Sequence, residues 1–230
     1  MGITRGSIST PIIVDGLVFN MDAANRASYP RSGTTITETI NSVAGTFNGS
    51  TFVNENNGII NFDGTDDYID FSTPAATNAG TEKSSINVWV KTGTNVSNNQ
   101  TIYSERDGSV HIFSKLRINT NTFDYIFLTP STILVLSSTI GTPSTNSWYN
   151  ICGTKNNNNF KIYVNGVLSN SSTTSMGSFT TTGTIFSYIG KEISGLYLSG
   201  NTASQQYYNR ALSATEVLHN YNALKGRFGL

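Results

Sequence analysis

FKIYVNG, residues 160–166, decides the fold. Phe160, Ile162 and Val164 alternate with Lys161 and Tyr163, the period of a strand that turns one face to a core. The run ends in Asn165-Gly166. A tight type I′ turn needs positive φ at both central residues, which Asn and Gly reach at least cost. Asn-Gly after an alternating run therefore marks a two-residue β-hairpin.

The same alternation recurs on both sides. Ile86, Val88 and Val90 oppose Asn87, Trp89 and Lys91. Val110, Ile112, Leu116 and Ile118 oppose His111, Phe113, Lys115 and Arg117, and Phe123, Tyr125 and Phe127 repeat the pattern. Turn clusters separate the runs: TGTNVSNN (92–99), RDGS (106–109), TPST (142–145), KNNNN (155–159) and SSTTSMGS (171–178). Clean alternation implies antiparallel sheets with one face inward. Roughly ten to twelve short strands at this spacing predict an all-β, two-sheet antiparallel jelly-roll sandwich with Greek-key connections. One stretch departs from strand periodicity. SATEVLHNYNALKG (213–226) predicts a short C-terminal helix, with Ser213 and Glu216 as its capping box and Val217, Tyr221 and Leu224 as one apolar stripe. Gly226 is its expected stop, and an open end or edge of the sheets is its expected seat.

Length and composition bound the rest. The chain has 230 residues, enough for one large β domain with a substantial core. We expect an extended arm over 1–14, within which Pro11 to Val14 offers an edge strand, and one domain over 15–230. Charged residues are 12%, against roughly 25% in an average domain. Net charge is zero and the pI is about 6.7, with no basic run, so no nucleic-acid partner is expected. The start MGITRGSIST has no apolar segment of a signal peptide, and no apolar run reaches the roughly 18 residues of a membrane span. Cys152 is the single cysteine, which excludes an intramolecular disulfide, and it reads as a small buried strand residue.

GIINFDGTDDYIDF, residues 58–71, raises the one question of chemistry. Ile60 and Phe62, then Ile69 and Phe71, share a face, and Asp63-Gly64 supplies turn chemistry. The first reading is a β-hairpin with Asp66 and Asp67 exposed on its return. The competing reading is a calcium site at Asp63, Asp66 and Asp67, because Ca²⁺ takes six to eight oxygens from carboxylates and carbonyls. The spacing is not that of an EF-hand loop. No catalytic set is found. A glycosidase holds two carboxyl groups about 5–9.5 Å apart across a sugar. Glu105-Arg106-Asp107 lacks the alternation for this, and Glu38, Glu55, Glu82, Glu192 and Glu216 are scattered. His111 and His219 read as structural residues.

Several motifs converge on one resemblance. IFSYIG (185–190), QYYNRALSATEVLHNYNALKGRFG (206–229), WYNICGTKNNNNFKIYVNGVL (148–168), SSINVWVK (84–91) and FDGTDDYIDF (62–71) resemble a laminin-G-like, concanavalin A-like lectin/glucanase domain. The opening DGLVFNMDAANRASYPRSGTT (15–35) is similar to bacteriophage virion versions of that domain. Departures are ITETINSVAGTFNG (36–49), and Gln205 and Gln206 where the family favours β-branched apolar residues.

The resemblance implies a non-enzymatic structural protein of a bacteriophage virion, a capsid decoration, head-fibre or tail-fibre component located in the virion. Its partners would be other virion proteins, with self-association and no membrane. Ile3, Arg5, Ile8, Ile12 and Ile13 of the arm would form the attachment surface. The alternative is a carbohydrate-binding, lectin-like module contacting host surface glycans, with Trp89, Phe113 and Tyr163, opposite the core pattern, as stacking platforms. Calcium is the one cofactor either reading admits.

Overall fold

The computed structural model describes residues 11–71, 82–107, 113–177 and 185–230. The described residues form sixteen strands and one C-terminal helix. The chain opens with β1 (Leu17–Asp22), β2 (Thr35–Thr37), β3 (Ala44–Asn48) and β4 (Thr51–Val53). The next are β5 (Ile59–Asp63), β6 (Tyr68–Phe71), β7 (Lys83–Thr92) and β8 (Gln100–Asp107). The middle holds β9 (Phe113–Asn119), β10 (Thr122–Leu128), β11 (Ile133–Ser137) and β12 (Trp148–Asn156). The last strands are β13 (Asn159–Val164), β14 (Val167–Thr173), β15 (Ile185–Ile189) and β16 (Ser199–Tyr208), followed by α1 (Ala214–Leu224) and a 3₁₀ turn over Lys225–Phe228.

Two antiparallel sheets of eight strands face each other. The first runs β14-β13-β12-β7-β16-β5-β4, with β1 also on β16, and the second runs β11-β10-β9-β8-β15-β6-β3-β2. The all-β, two-sheet expectation holds. So does the deciding hairpin: Val164 pairs with Val167, and Asn165 and Gly166 take φ of 51° and 77°. Between the sheets lies one core that includes Phe19, Ile60, Phe62, Ile69, Phe71, Val88, Leu116, Phe123, Phe127, Ile151, Phe160 and Tyr207.

GIINFDGTDDYIDF is not a hairpin. β5 pairs with β16 and β4 in the first sheet, whereas β6 pairs with β15 and β3 in the second. Residues 64–67 arch from one sheet to the other. The inward parity expected of Ile60, Phe62, Ile69 and Phe71 is right, because an arch and a hairpin bury the same alternate residues. Asp67 is only 6% exposed, against the expected exposed return.

The terminal helix does not sit at an open end. It lies on the outer face of the first sheet. Val217 and Leu212 cover Cys152, Tyr163 and Tyr208, and Phe228 with Tyr221 and Leu224 covers Trp89 and Trp148. Trp89 stacks on Phe228 at 4.3 Å between ring centroids. Ser213 caps α1 with the full capping box. The helical path does not stop at Gly226 but tightens into the 3₁₀ turn, and Gly229 at φ 74° ends it.

The opening motif explains the seating. Asp22 accepts from Arg227 at 2.8 and 2.9 Å, clamping the C-terminal segment to the end of β1. Gln206, an expected departure from the family pattern, completes an amide ladder across strands: Asn150 donates to Asn87 at 3.0 Å and Asn87 to Gln206 at 2.8 Å. Each shared bond offsets part of the desolvation cost of burying these amides, while Asn150 Oδ1 is left without a partner.

Pro11 to Val14 forms no edge strand. The Ile13 amide donates to Asn220 Oδ1 at 2.8 Å, and Tyr208 donates its hydroxyl to the Ile13 carbonyl at 2.9 Å. The Ile13 side chain packs with Leu17 against the Cys152 cluster. No helix among the described residues is long and apolar enough to cross a membrane.

Candidate functional site

Three crossings between the sheets converge at one end of the sandwich: the arch after β5, the loop from β7 to β8, and the segment from β15 to β16. They enclose a cleft of about 300 Å³ lined by Asp63, Asn95, Asn98, Asn99, Gln100 and Tyr197, among others.

Each crossing is held locally. Asp63 Oδ1 accepts from the amides of Thr65 (2.7 Å) and Asp66 (3.4 Å), and Asp67 Oδ2 accepts from the Asp63 amide (2.9 Å). Gly64, at φ 85°, lets the arch lie on Ser199; an added Cβ would stand 2.8 Å from the Ser199 Cβ. Gly49 makes room for the Asp67 carboxylate, which an added Cβ there would strike. In the second crossing Asn95 Oδ1 accepts from Ser97 N at 2.8 Å, while Val96 anchors the loop in the core. Gln100 ties the crossings together, donating to the Asn95 carbonyl (2.7 Å) and accepting from Ser199 N (2.9 Å). The third crossing is stapled to the second sheet. Lys191 lies over the Tyr68 and Tyr188 rings, at 3.3 and 4.4 Å from their centroids, and Glu192 pairs with buried Lys115.

These constraints leave specific groups free. The Asn98 backbone amide donates to Asn95 Oδ1 at 3.4 Å, but its side-chain amide and the Tyr197 hydroxyl make no hydrogen bond among the described residues, and Asn98 is exposed. Asn99 Oδ1 is enclosed without a partner. Side-chain amides both donate and accept, the combination that pairs with adjacent hydroxyls.

The carboxylates adjoin this cleft. One oxygen of each of Asp63, Asp66 and Asp67 lies within 4.8 Å of the others. Ca²⁺ binds oxygen at about 2.3–2.6 Å, so two ligands across one ion stand up to about 5 Å apart, and the trio fits one calcium shell. The remaining ligands would have to come from carbonyls or water. Burial holds the Asp67 carboxyl above its usual range; the charges of Asp63 and Asp66 act in the same direction, and the Asp63 amide opposes them. A bound cation would relieve that repulsion.

The other expected site residues stand differently. Trp89 and Tyr163 are 0% and 1% exposed, so neither presents a face to a sugar. Alternation placed them correctly on the outer side of their strands, but α1 and its 3₁₀ extension cover that side. Phe113 opens β9, and its side chain lies outside the described residues. Ile3, Arg5 and Ile8 lie outside them too, as does His111. Ile12 is half-buried and Ile13 is engaged within its own chain. In sequence TGTNVSNN carries only a turn signal and Tyr197 carries none, because only the sheet crossings bring these segments beside Asp63.

The family model of the concanavalin A-like lectin/glucanases superfamily matches residues 63–218. This chain belongs to that superfamily. Among solved structures, domain 4 of an extracellular arabinanase from Geobacillus stearothermophilus, in complex with arabinotriose, aligns at TM-score 0.70 and 15% identity, over 89% of this chain and 98% of that one. The binding domain of Paraclostridial mosquitocidal protein 1 aligns at TM-score 0.72 and 13% identity, over 90% and 52%. The botulinum neurotoxin serotype D binding domain aligns at 0.66 and 16%, over 90% and 51%. The chain thus spans about half the length of the two toxin domains. At these identities the likeness is one of fold. No curated protein matches the sequence.

Proposed function

We propose that the chain is a non-catalytic carbohydrate-binding module whose contact site is the end cleft. The observation that carries this reading is the meeting of uncommitted amides with Tyr197 in a concave site beside a calcium-sized carboxylate trio. Glycan sites need a few placed polar groups within a partly apolar hollow, and the half-buried Tyr197 ring supplies the apolar part. The superfamily, and a neighbour of similar fold solved with arabinotriose, support the choice of ligand class. The deciding experiment is calorimetric titration of neutral oligosaccharides, arabinotriose included, with and without calcium. Asn98→Ala and Tyr197→Ala should each weaken binding at least tenfold and leave the melting temperature in place. No binding across the panel, or binding indifferent to both variants, defeats the reading.

As its setting we propose a bacteriophage particle, capsid or tail, on the strength of the opening motif over 15–35 alone. Mass spectrometry of purified particles should detect the chain, and removal of residues 1–10 should release it. Its absence from particles overturns that setting and leaves the cleft untouched.

A further inference from the structure

A second hollow lies on the outer face of the first sheet, away from the end cleft. Its cavity is about 540 Å³, within the roughly 300–1,000 Å³ of small-molecule sites. The floor comes from the β12–β13 hairpin: Thr154 and Lys161 are register partners, and Asn156 and Asn159 face each other at its tip. The wall is the turn from Arg210 to Ala214 and the first turn of α1. Ser85 fixes that wall, donating its hydroxyl to the Arg210 carbonyl at 2.9 Å and accepting from Leu212 N at 2.8 Å.

The polar groups here are unbalanced. Glu216 is the one carboxylate in the lining, and its oxygens are committed. It accepts two bonds from Arg210 (2.7 and 3.0 Å) and two from Ser213, amide and hydroxyl (2.8 and 2.9 Å). Arg210 is neutralised in turn by Glu216 and by Asp15 at 2.8 Å. Lys161 has no such partner among the described residues. The Asn156 side chain makes no hydrogen bond there either, and Asn159 Nδ2 reaches only the Asn156 carbonyl, at 3.5 Å. The hollow therefore offers one uncompensated positive charge, amide and hydroxyl donors, and no carboxylate free for a cation. Ala211 and Ala214 add an apolar margin.

We propose that this hollow is a second binding site, for a saccharide carrying a carboxylate, a uronic acid unit. Lys161 would take the carboxylate, and Asn156, Asn159 and Thr154 the neighbouring hydroxyls. The site stands apart from the end cleft and does not depend on it. Charge-assisted bonds from an ammonium to a carboxylate are about twice as strong as neutral ones, which gives the preference for acidic over neutral sugar.

Amide NMR titration with trigalacturonate and with its methyl ester tests this, since the ester keeps the hydroxyls and removes the charge. The acid should bind at least tenfold tighter than the ester and shift the amides of Asn156, Asn159, Lys161 and Ala214. Lys161→Gln, at an exposed position, should erase the difference without lowering the melting temperature. Equal affinity for acid and ester, an unchanged Lys161→Gln, or no binding of either sugar overturns the proposal. So does competition by acetate at the same concentration, which would reveal a bare anion site. Asn98→Ala and Tyr197→Ala should leave trigalacturonate binding intact. If they abolish it, the sugar sits in the end cleft and the hollow is not a site. Failure of neutral sugars to bind, with trigalacturonate still bound here, defeats only the cleft.

Discussion

Lys155 shows how much one side chain can weigh. It is 0% exposed, with its Nζ 4.8 Å from the Phe127 ring centroid. Burial pulls its ammonium down to about 7, while Glu82 and Glu105 pull the other way. An unfolded lysine titrates near 10.4. Above pH 7 the unfolded chain therefore binds the extra proton and the folded one does not, so stability rises with pH. Cys152 acts in the opposite sense, because burial pushes its thiol up, and its unfolded counterpart ionises from about 8.5. The visible rise is confined to about pH 7–8.5 and amounts to at most about 2 kcal/mol, one pH unit being worth 1.36. Urea midpoints should climb across that window, and Lys155→Met should flatten the climb while raising stability at pH 7. A flat wild-type profile would show that the ammonium is charged in place. The sequence conceals this residue: KNNNN carries the signal of a turn, although Lys155 shares its inward parity with Ile151 and Gly153 on β12.

At the level of elements, legibility followed the range of the interaction. α1 was readable because its signals are local: the Ser213–Glu216 box and a stripe at Val217, Tyr221 and Leu224. Ser213→Ala should cost about 1 kcal/mol, read by chemical denaturation. Glu216→Gln should also destabilise at neutral pH, because Arg210 holds the Glu216 carboxyl at about 2. A folded value below the unfolded one stabilises above about pH 4.5 and is lost as pH falls toward 2, so the two chains should converge there. A difference independent of pH would mean that Glu216 acts through packing alone. The β13–β14 hairpin was equally local. The β5–β6 arch was not: its Asp-Gly turn and its alternation suit a hairpin just as well, and only pairing with β16 and β15, far along the chain, separates the two. Trp89 and Tyr163 make the same point. Periodicity divides a strand into two faces, but whether the outer one meets water depends on a helix far along the chain, some fifty residues beyond Tyr163 and more than a hundred beyond Trp89. The cleft was half legible, since its carboxylates lie together in sequence and its amides do not.

The molecule as a whole is a sandwich wearing a lid on one side. Residues 11–15, α1 and the 3₁₀ turn cover the first sheet, held by the Arg227–Asp22 pair, by Asn220 with Tyr208, and by stacked Trp89, Tyr221 and Phe228. A layer that adds burial to a sheet already paired is expected to open before the sheet does. Cys152, the only thiol, lies beneath it at 0% exposure. Labelling with a thiol reagent therefore reports lid opening. In water the native chain should react far more slowly than the urea-unfolded chain, yet faster than its global unfolding rate allows. Val217→Ala deletes methyls packed against Cys152, and Arg227→Gln breaks the distant clamp. Both should speed labelling several-fold. Leu116→Ala, in the core between the sheets, should lower global stability by about 2–5 kcal/mol while changing the labelling rate little. If all three variants accelerate labelling in proportion to their loss of global stability, the lid is no separate unit and the sandwich unfolds as one body.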